Sequence, residues 1–369
     1  MQGDFHYYAT YCAAFLAGYT HEESLAICYS AQFVDFCSVT FLKKIKGPET
    51  AATTQLQAEL MDSRTDHVGL QKITRTWASF HFLPRDLNAE VKGGRRYQNK
   101  YRLICGPNGE LLVNTVELAK GKGLEAAGVA MHVLADTWAH SYFAGTPSLV
   151  INNTNYQFYE ILGEGDDAET RRIAFRHNPK ALDDPVEGKY TNSVYQSSEN
   201  NVMNLGHGRA GHLPDYSFAR YKYLPAWAEY KEIIKDNPSD YMHAFCQMVY
   251  ALRYLRGDID AFALDTYDWD TVAPYKEEIK EIIERRQLLA SKDWKALGEK
   301  LSGCTIEAFD IKKYQQEYVD AENNEKNQTY LGRFITAALA QKSMVTNSMA
   351  ASRNRLAGIG LEVRIRDKG

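Results

Sequence analysis

The sequence has no CxxC pair, no fixed-period repeat, no low-complexity tract and no excess of either charge. Each absence removes a class. Without paired cysteine motifs, Cys12, Cys28, Cys37, Cys105, Cys246 and Cys304 read as free thiols, most of them in apolar surroundings, which suits a reducing compartment rather than a disulfide scaffold. With 43 Lys+Arg against 47 Asp+Glu, the formal net charge of −4 argues against a polybasic nucleic-acid scaffold. No apolar run approaches the ~18 residues a membrane-spanning helix needs. The opening MQGDFHYYAT, with Asp4 and His6, lacks the basic and apolar regions of a secretory leader. The expectation is therefore a cytoplasmic protein with no transmembrane segment.

What remains is ordinary for a folded chain: 369 residues, 44% hydrophobic and 24% charged, enough for a sizeable core. Nine of the ten histidines fall at or before position 212, so the chemistry is expected in the first two thirds.

Helical signals dominate. Thr20 and Glu23 form a capping box that opens a helix through SLAICYSAQFVDF, with Asp35 near its end. A carboxylate there opposes the helix dipole and needs another partner. GLEAAGVAMHVLADTWAHSYF (123–143) reads as a strong helix closed by Gly145 and Pro147. YQNKYRLICGPNGELLVNTVEL (97–118) reads as two apolar runs about a Gly-Pro-Asn-Gly turn, a β-hairpin. Residues 146–220 read as a long, irregular and therefore functional loop. Beyond Pro225, AWAEYKEIIK, YMHAFCQMVYALRYL, APYKEEIKEIIERRQLLA and LGRFITAALAQ read as helices, with a mixed basic tail from Arg353. The expected organisation is a mainly α metal-binding core over 1–225, carrying the hairpin and the long loop. A C-terminal helical extension over 226–369 packs on it.

The strongest chemical signal is His132-x-x-x-Asp136-x-x-x-His140. Positions four apart share one drifting face of a helix, so two imidazoles and a carboxylate project to the same side. Those ligand types suit Zn²⁺ or a similar divalent ion, and the two oxygens of Asp136 allow it to bridge two ions. Alternatively, the three are unrelated polar residues, each satisfied separately. Against that, an unpaired Asp between Ala and Trp costs several kcal/mol or takes up a proton. Further donors are at hand in Asp4, His6, Asp35 and His81, whereas His21, His67, His177 and His243 stand in surface or ordinary helical contexts. A second signal is NLGHGRAGHLPDYS (204–217), where glycines and Pro214 frame His207, His212 and Asp215, with Arg209 able to hold an anionic oxygen.

The run GVAMHVLADTWAHSYF resembles the signature helix of the zinc-dependent phospholipase C and P1 nuclease superfamily. Together with DFHYY, AQFVDF, FHFLP and GHGRAGHLPD, the chain looks like an uncharacterised bacterial family of cytoplasmic proteins related to that superfamily. The resemblance covers roughly residues 1–220. It implies a multi-helix phospholipase C/P1 nuclease-like core and two or three zinc ions that activate water against a phosphodiester. It assigns Asp136 as the bridge, Asp35, His81 and His132 to one metal, and His6 to a second. His140, His212 and Asp215 go to a third, with His212 favoured over His207. Superfamily members use the amino group of an N-terminal Trp as a ligand. Since this chain starts at Met1, that coordination is not expected here, and Asp4 is the substitute carboxylate. Asp35 or Asp4 would take the proton, and His207 and Arg209 would touch substrate. A phosphodiester small molecule, nucleotide or lipid headgroup is the expected partner. The rival is a helical binding or assembly protein whose metal site is structural or vestigial.

Overall fold

The computed structural model describes residues 1–56, 59, 67–88, 103–146, 157–163, 165, 168–176, 181–192 and 207–352. The chain is mostly helical, with a small four-stranded sheet and a two-stranded pair among the described residues.

It begins with a π-helical turn, Asp4–Ala9, that runs directly into α1 (Thr10–Leu16). The helix α2 (His21–Phe33) starts at the Thr20 capping box, and both of its hydrogen bonds form. Then come α3 (Val39–Lys44), α4 (His67–Phe80), α5 (Glu110–Ala119) and α6 (Leu124–Ala139). The tightest packing is α6 on α2. A Cβ at Gly128 would stand 2.5 Å from Ser30 Cβ and closer still to the carbonyl of Ile27, so only glycine lets the two backbones meet there.

The expected hairpin at 97–118 is not formed. Residues 97–102 lie outside the described residues, and Glu110–Ala119 is helical. Leu111, Leu112, Thr115, Val116 and Ala119 bury one helical face, so the apolar run served a 3.6-residue period rather than alternation. Of the turn, Asn108 keeps the left-handed φ of 58°.

Strands lie instead within the expected loop of 146–220 and just beyond it, up to residue 236. β1 (Tyr159–Leu162), β2 (Glu169–Arg172), β5 (Arg220–Tyr223) and β6 (Ile233–Asp236) form an antiparallel sheet in the order β2-β1-β5-β6. β3 (Ala174–Arg176) and β4 (Lys189–Thr191) pair in parallel beside it. The segment AWAEYKEIIK is likewise not a helix. Glu229 and Tyr230 take positive φ, breaking the chain into a short 3₁₀ turn and then β6.

A short helix, α7 (His207–Ala210), precedes β5, and α8 (Asn237–Arg256) follows β6 directly. The C-terminal helices are α9 (Trp269–Val272), α10 (Lys276–Glu284), α11 (Ser291–Ser302), α12 (Gln315–Asp320) and α13 (Tyr330–Ala351).

The core has two main parts. The larger is built from α1, α2, α5 and α6 together with α8, α10, α11 and α13, so chain from both sides of residue 225 shares it. The smaller lies beneath the sheet and holds Phe82, Cys105, Phe143, Phe158, Tyr221 and Tyr223. Five of the six cysteines are buried as free thiols, and Cys304 is exposed. Among the described residues no helix is long and apolar enough to cross a membrane.

Candidate metal centre

Most of the polar residues singled out above meet at the seam between the two cores. His132 and Asp136 project from α6. His140 caps its C-terminus rather than lying inside it. His81 follows α4, Asp35 lies in the turn after α2, and His6 stands in the opening π-helical turn.

Ring orientation is set by main-chain carbonyls. His132 Nδ1 donates to Ala31 O at 2.8 Å, a reach that depends on the α2–α6 approach at Gly128. His81 Nε2 donates to Thr53 O at 3.1 Å, and His140 Nδ1 to His81 O at 2.6 Å. A carbonyl only accepts, so each of these nitrogens carries its proton, and in a neutral ring the other nitrogen presents a lone pair. The second nitrogen of all three rings points inward. His81 Nδ1 and His132 Nε2 each lie 3.2 Å from Asp136 Oδ2 and 3.2 Å from each other, and His140 Nε2 lies 3.1 Å from Asp215 Oδ1.

His6 is the starkest case. It is fully buried and stacked on His132 at 3.8 Å. Its Nε2 is 3.2 Å from Asp136 Oδ1 without hydrogen-bond geometry, so both ring nitrogens lack a hydrogen-bond partner. Burial pushes His6 and His140 down to about 4, which leaves both neutral near pH 7. Imidazole nitrogens and carboxylate oxygens gathered at these distances are a donor set compatible with a divalent cation, and carbonyl-anchored imidazoles are the usual support for one.

Three donor groups result: His6, Asp35 and His132; His81, His132 and Asp136; and His140, His207 and Asp215. The ligand atoms of each group lie within 4.8 Å of one another. His132 belongs to two groups. Asp35 is 30% exposed, with Oδ1 3.9 Å from both His81 and His132 and Oδ2 accepting from Gln32 Nε2.

The loop residues divide differently from expectation. His207, not His212, joins His140 and Asp215, because edge contacts with Phe82, Phe143 and His140 turn its ring inward. His212 is 59% exposed and touches Asp215 Oδ2 from outside through Nδ1, a contact that raises its pKa. Arg209 is buried in α7, its carbonyl held by Asn192.

Asp4 is also a correction. Its carboxylate accepts from Phe5 N and Ala290 N, each at 2.8 Å, and it joins none of the three groups. The amino group of Met1 stands there instead, 2.6 Å from Asp136 Oδ1 and 3.3 Å from both Asp215 Oδ1 and His140 Nε2. Burial alone would lower that amine, but the Asp136 and Asp215 charges outweigh it and raise it to about 11. For Asp136 and Asp215 burial opposes ionisation. The Met1 amine and the histidines around them nevertheless hold both well below the usual carboxylate range.

The fold and the cluster define a mostly helical protein with a small sheet and a buried His/Asp centre. The chain belongs to the DUF6765 family, a family of unknown function, whose family model matches residues 1–349. No curated protein and no solved structure matches it.

Proposed function

We propose that this protein is a metal-dependent phosphoric ester hydrolase, a phosphodiesterase in the manner of the phospholipase C and P1 nuclease superfamily. The observation that carries the reading is the convergence of three carbonyl-anchored imidazole lone pairs on Asp136 and Asp215, with His6 buried and unpartnered beside them. The donors His6, Asp35, His81, His132, Asp136, His140, His207 and Asp215 would hold two or three ions. Zinc is the leading candidate, since nitrogen and carboxylate donors suit it, and other divalent metals share that preference.

Bound ions of this kind lower the pKa of water toward neutrality and neutralise charge on phosphate oxygens. The chain supplies the rest. Asp35 is the most exposed carboxylate of the groups, and its Oδ2 is fixed by Gln32, so Oδ1 faces the groups as an oriented proton acceptor. Beside it Phe36 is 40% exposed and stacked on Phe309 at 5.1 Å, an apolar face against which a base or acyl group can rest. The substrate class this supports is a small phosphodiester with an apolar or aromatic substituent, a nucleotide or a lipid headgroup.

A second reading, a closed structural metal site in a binding or assembly protein, draws on the near-complete burial of His6, His132, Asp136 and His140. Metal analysis of purified protein, with bis(p-nitrophenyl) phosphate hydrolysis before and after chelation, separates the two. Hydrolysis that chelation abolishes and zinc restores supports the enzyme. Tight metal without turnover supports the structural site, and protein that takes up no metal defeats both.

A further inference from the structure

Two buried polar side chains, Lys235 and Asn237, stand two positions apart where β6 runs into α8, and neither belongs to a donor group. Lys235 is 1% exposed. Its Nζ donates to Trp138 O at 2.9 Å and to Ser141 Oγ at 2.5 Å, and it pairs with Asp240. Trp138 lies in the last turn of α6, where carbonyls lack intrahelical partners and a cation complements the helix dipole. Residues 138 and 141 flank His140. The following residue, Tyr142, has a φ of 72°. Its carbonyl is held by Tyr223 Oη and Trp227 Nε1, each at 3.1 Å.

Asn237 is fully buried. Its Nδ2 donates to Leu213 O and Tyr216 O at 2.8 Å, and Pro214 O lies 3.4 Å away. Tyr241, one turn along α8, adds a bond to Pro214 O at 3.2 Å. Asp215 sits inside that turn. Asn237 Oδ1 remains buried without a partner, so its amide serves the turn while its own acceptor goes unused.

We infer that the β6–α8 junction is a two-armed positioning element. Lys235 fixes the turn that carries His140, Asn237 fixes the turn that carries Asp215, and their common backbone sets the 3.1 Å approach of the two side chains. Its use in metal binding rests on the proposed hydrolase centre, while the geometric claim stands without it.

The test compares Lys235→Met and Asn237→Ala with Glu160→Gln, which disturbs an equally buried ionic group in the same sheet, paired with Arg171 and Arg286 and outside the three donor groups. The readouts are Zn²⁺ titration calorimetry and amide hydrogen exchange of segments 138–143 and 212–216, with far-UV circular dichroism as the fold check. The two junction variants are expected to bind the ion of the His140 group about 10- to 100-fold more weakly, as loss of outer support typically does. Exchange in the segment each arm holds should quicken. Glu160→Gln should lower the melting temperature and leave zinc binding and exchange in segment 138–143 unchanged. If Lys235→Met does not fold, Ser141→Ala, which removes a single acceptor, is read in the same way.

Junction variants that keep wild-type zinc affinity and wild-type exchange overturn the inference. If the wild-type protein takes up no zinc, the hydrolase reading fails and the exchange data alone decide the positioning claim.

Discussion

The two halves of the candidate centre hold their side chains by different means. On the helical side, His132 and Asp136 share one face of α6, and α2 lies against that helix closely enough for Ala31 to orient a ring. Their spacing is a property of the helix itself, and the large core around it leaves little room to move. On the sheet side, His207 and Asp215 come from turns of three or four residues, and each turn is held from outside by aromatic rings or by Asn237. A donor on a long packed helix brings its own geometry, whereas a donor on a short turn borrows it from neighbours. The helical groups should therefore tolerate damage to surrounding residues better than the group containing His140.

The contrast can be broken most forcefully at Asp136, which touches both halves through His6, His81 and His132 on one side and the Met1 amine on the other. Asp136→Asn should remove metal from the group it forms with His81 and His132 and reduce phosphodiester hydrolysis at least ~100-fold, measured by metal analysis and turnover on one preparation. Retained activity would defeat the hydrolase reading.

Next in size is the pair His132→Ala and His207→Ala. His132 serves two groups and His207 one, so the first variant should lose more zinc equivalents than the second in parallel titrations. Equal losses would erase the distinction between the halves. Gly128→Val tests the helical scaffold alone. Driving a branched side chain into Ile27 and Ser30 should cost about 1–3 kcal/mol in urea unfolding and weaken zinc binding through His132.

The smallest effect probes the scaffold without touching the donors. Lys342, on α13, donates to Thr50 O and Ala52 O, and burial lowers its pKa from 10.5 to about 8. Between those values the unfolded chain holds the proton and the folded chain does not, so this residue makes stability rise with pH across that window. The rise should be about 1–2 kcal/mol, since the side chain keeps some contact with water, and Lys342→Met should flatten it in melts from pH 7.5 to 10.

The same contrast explains what the sequence made legible. The His132, Asp136 and His140 stripe was readable because a helix converts four-residue spacing into a shared face, and the Thr20 capping box was readable because it is local. Asp35, His81 and His6 could be named as ligand types in apolar surroundings, but nothing local shows that they meet. The structure groups His207 rather than His212 with His140 and Asp215 for a physical reason. Sequence proximity to Asp215 favoured His212, while the aromatic contacts that turn His207 inward come from Phe82 and Phe143, far away in the chain. The sheet went unseen because its strands are three or four residues long and carry charges, as in Glu169–Arg172. Lys235 ends the run AWAEYKEIIK, which was expected to be a helix, and only the fold reveals that it points inward at Trp138. The carbonyls of Ala31, Thr53 and His81, which set the ring tautomers, have no sequence signal at all.

The central claim is that these imidazoles and carboxylates share cations, and anomalous diffraction at the zinc edge from zinc-soaked crystals addresses it most directly. The account predicts at least two peaks about 2.0–2.2 Å from donor atoms, one of them shared by His132 and Asp136. A map with no peak at the seam, and His6, His81 and His132 left as they are here, would contradict it.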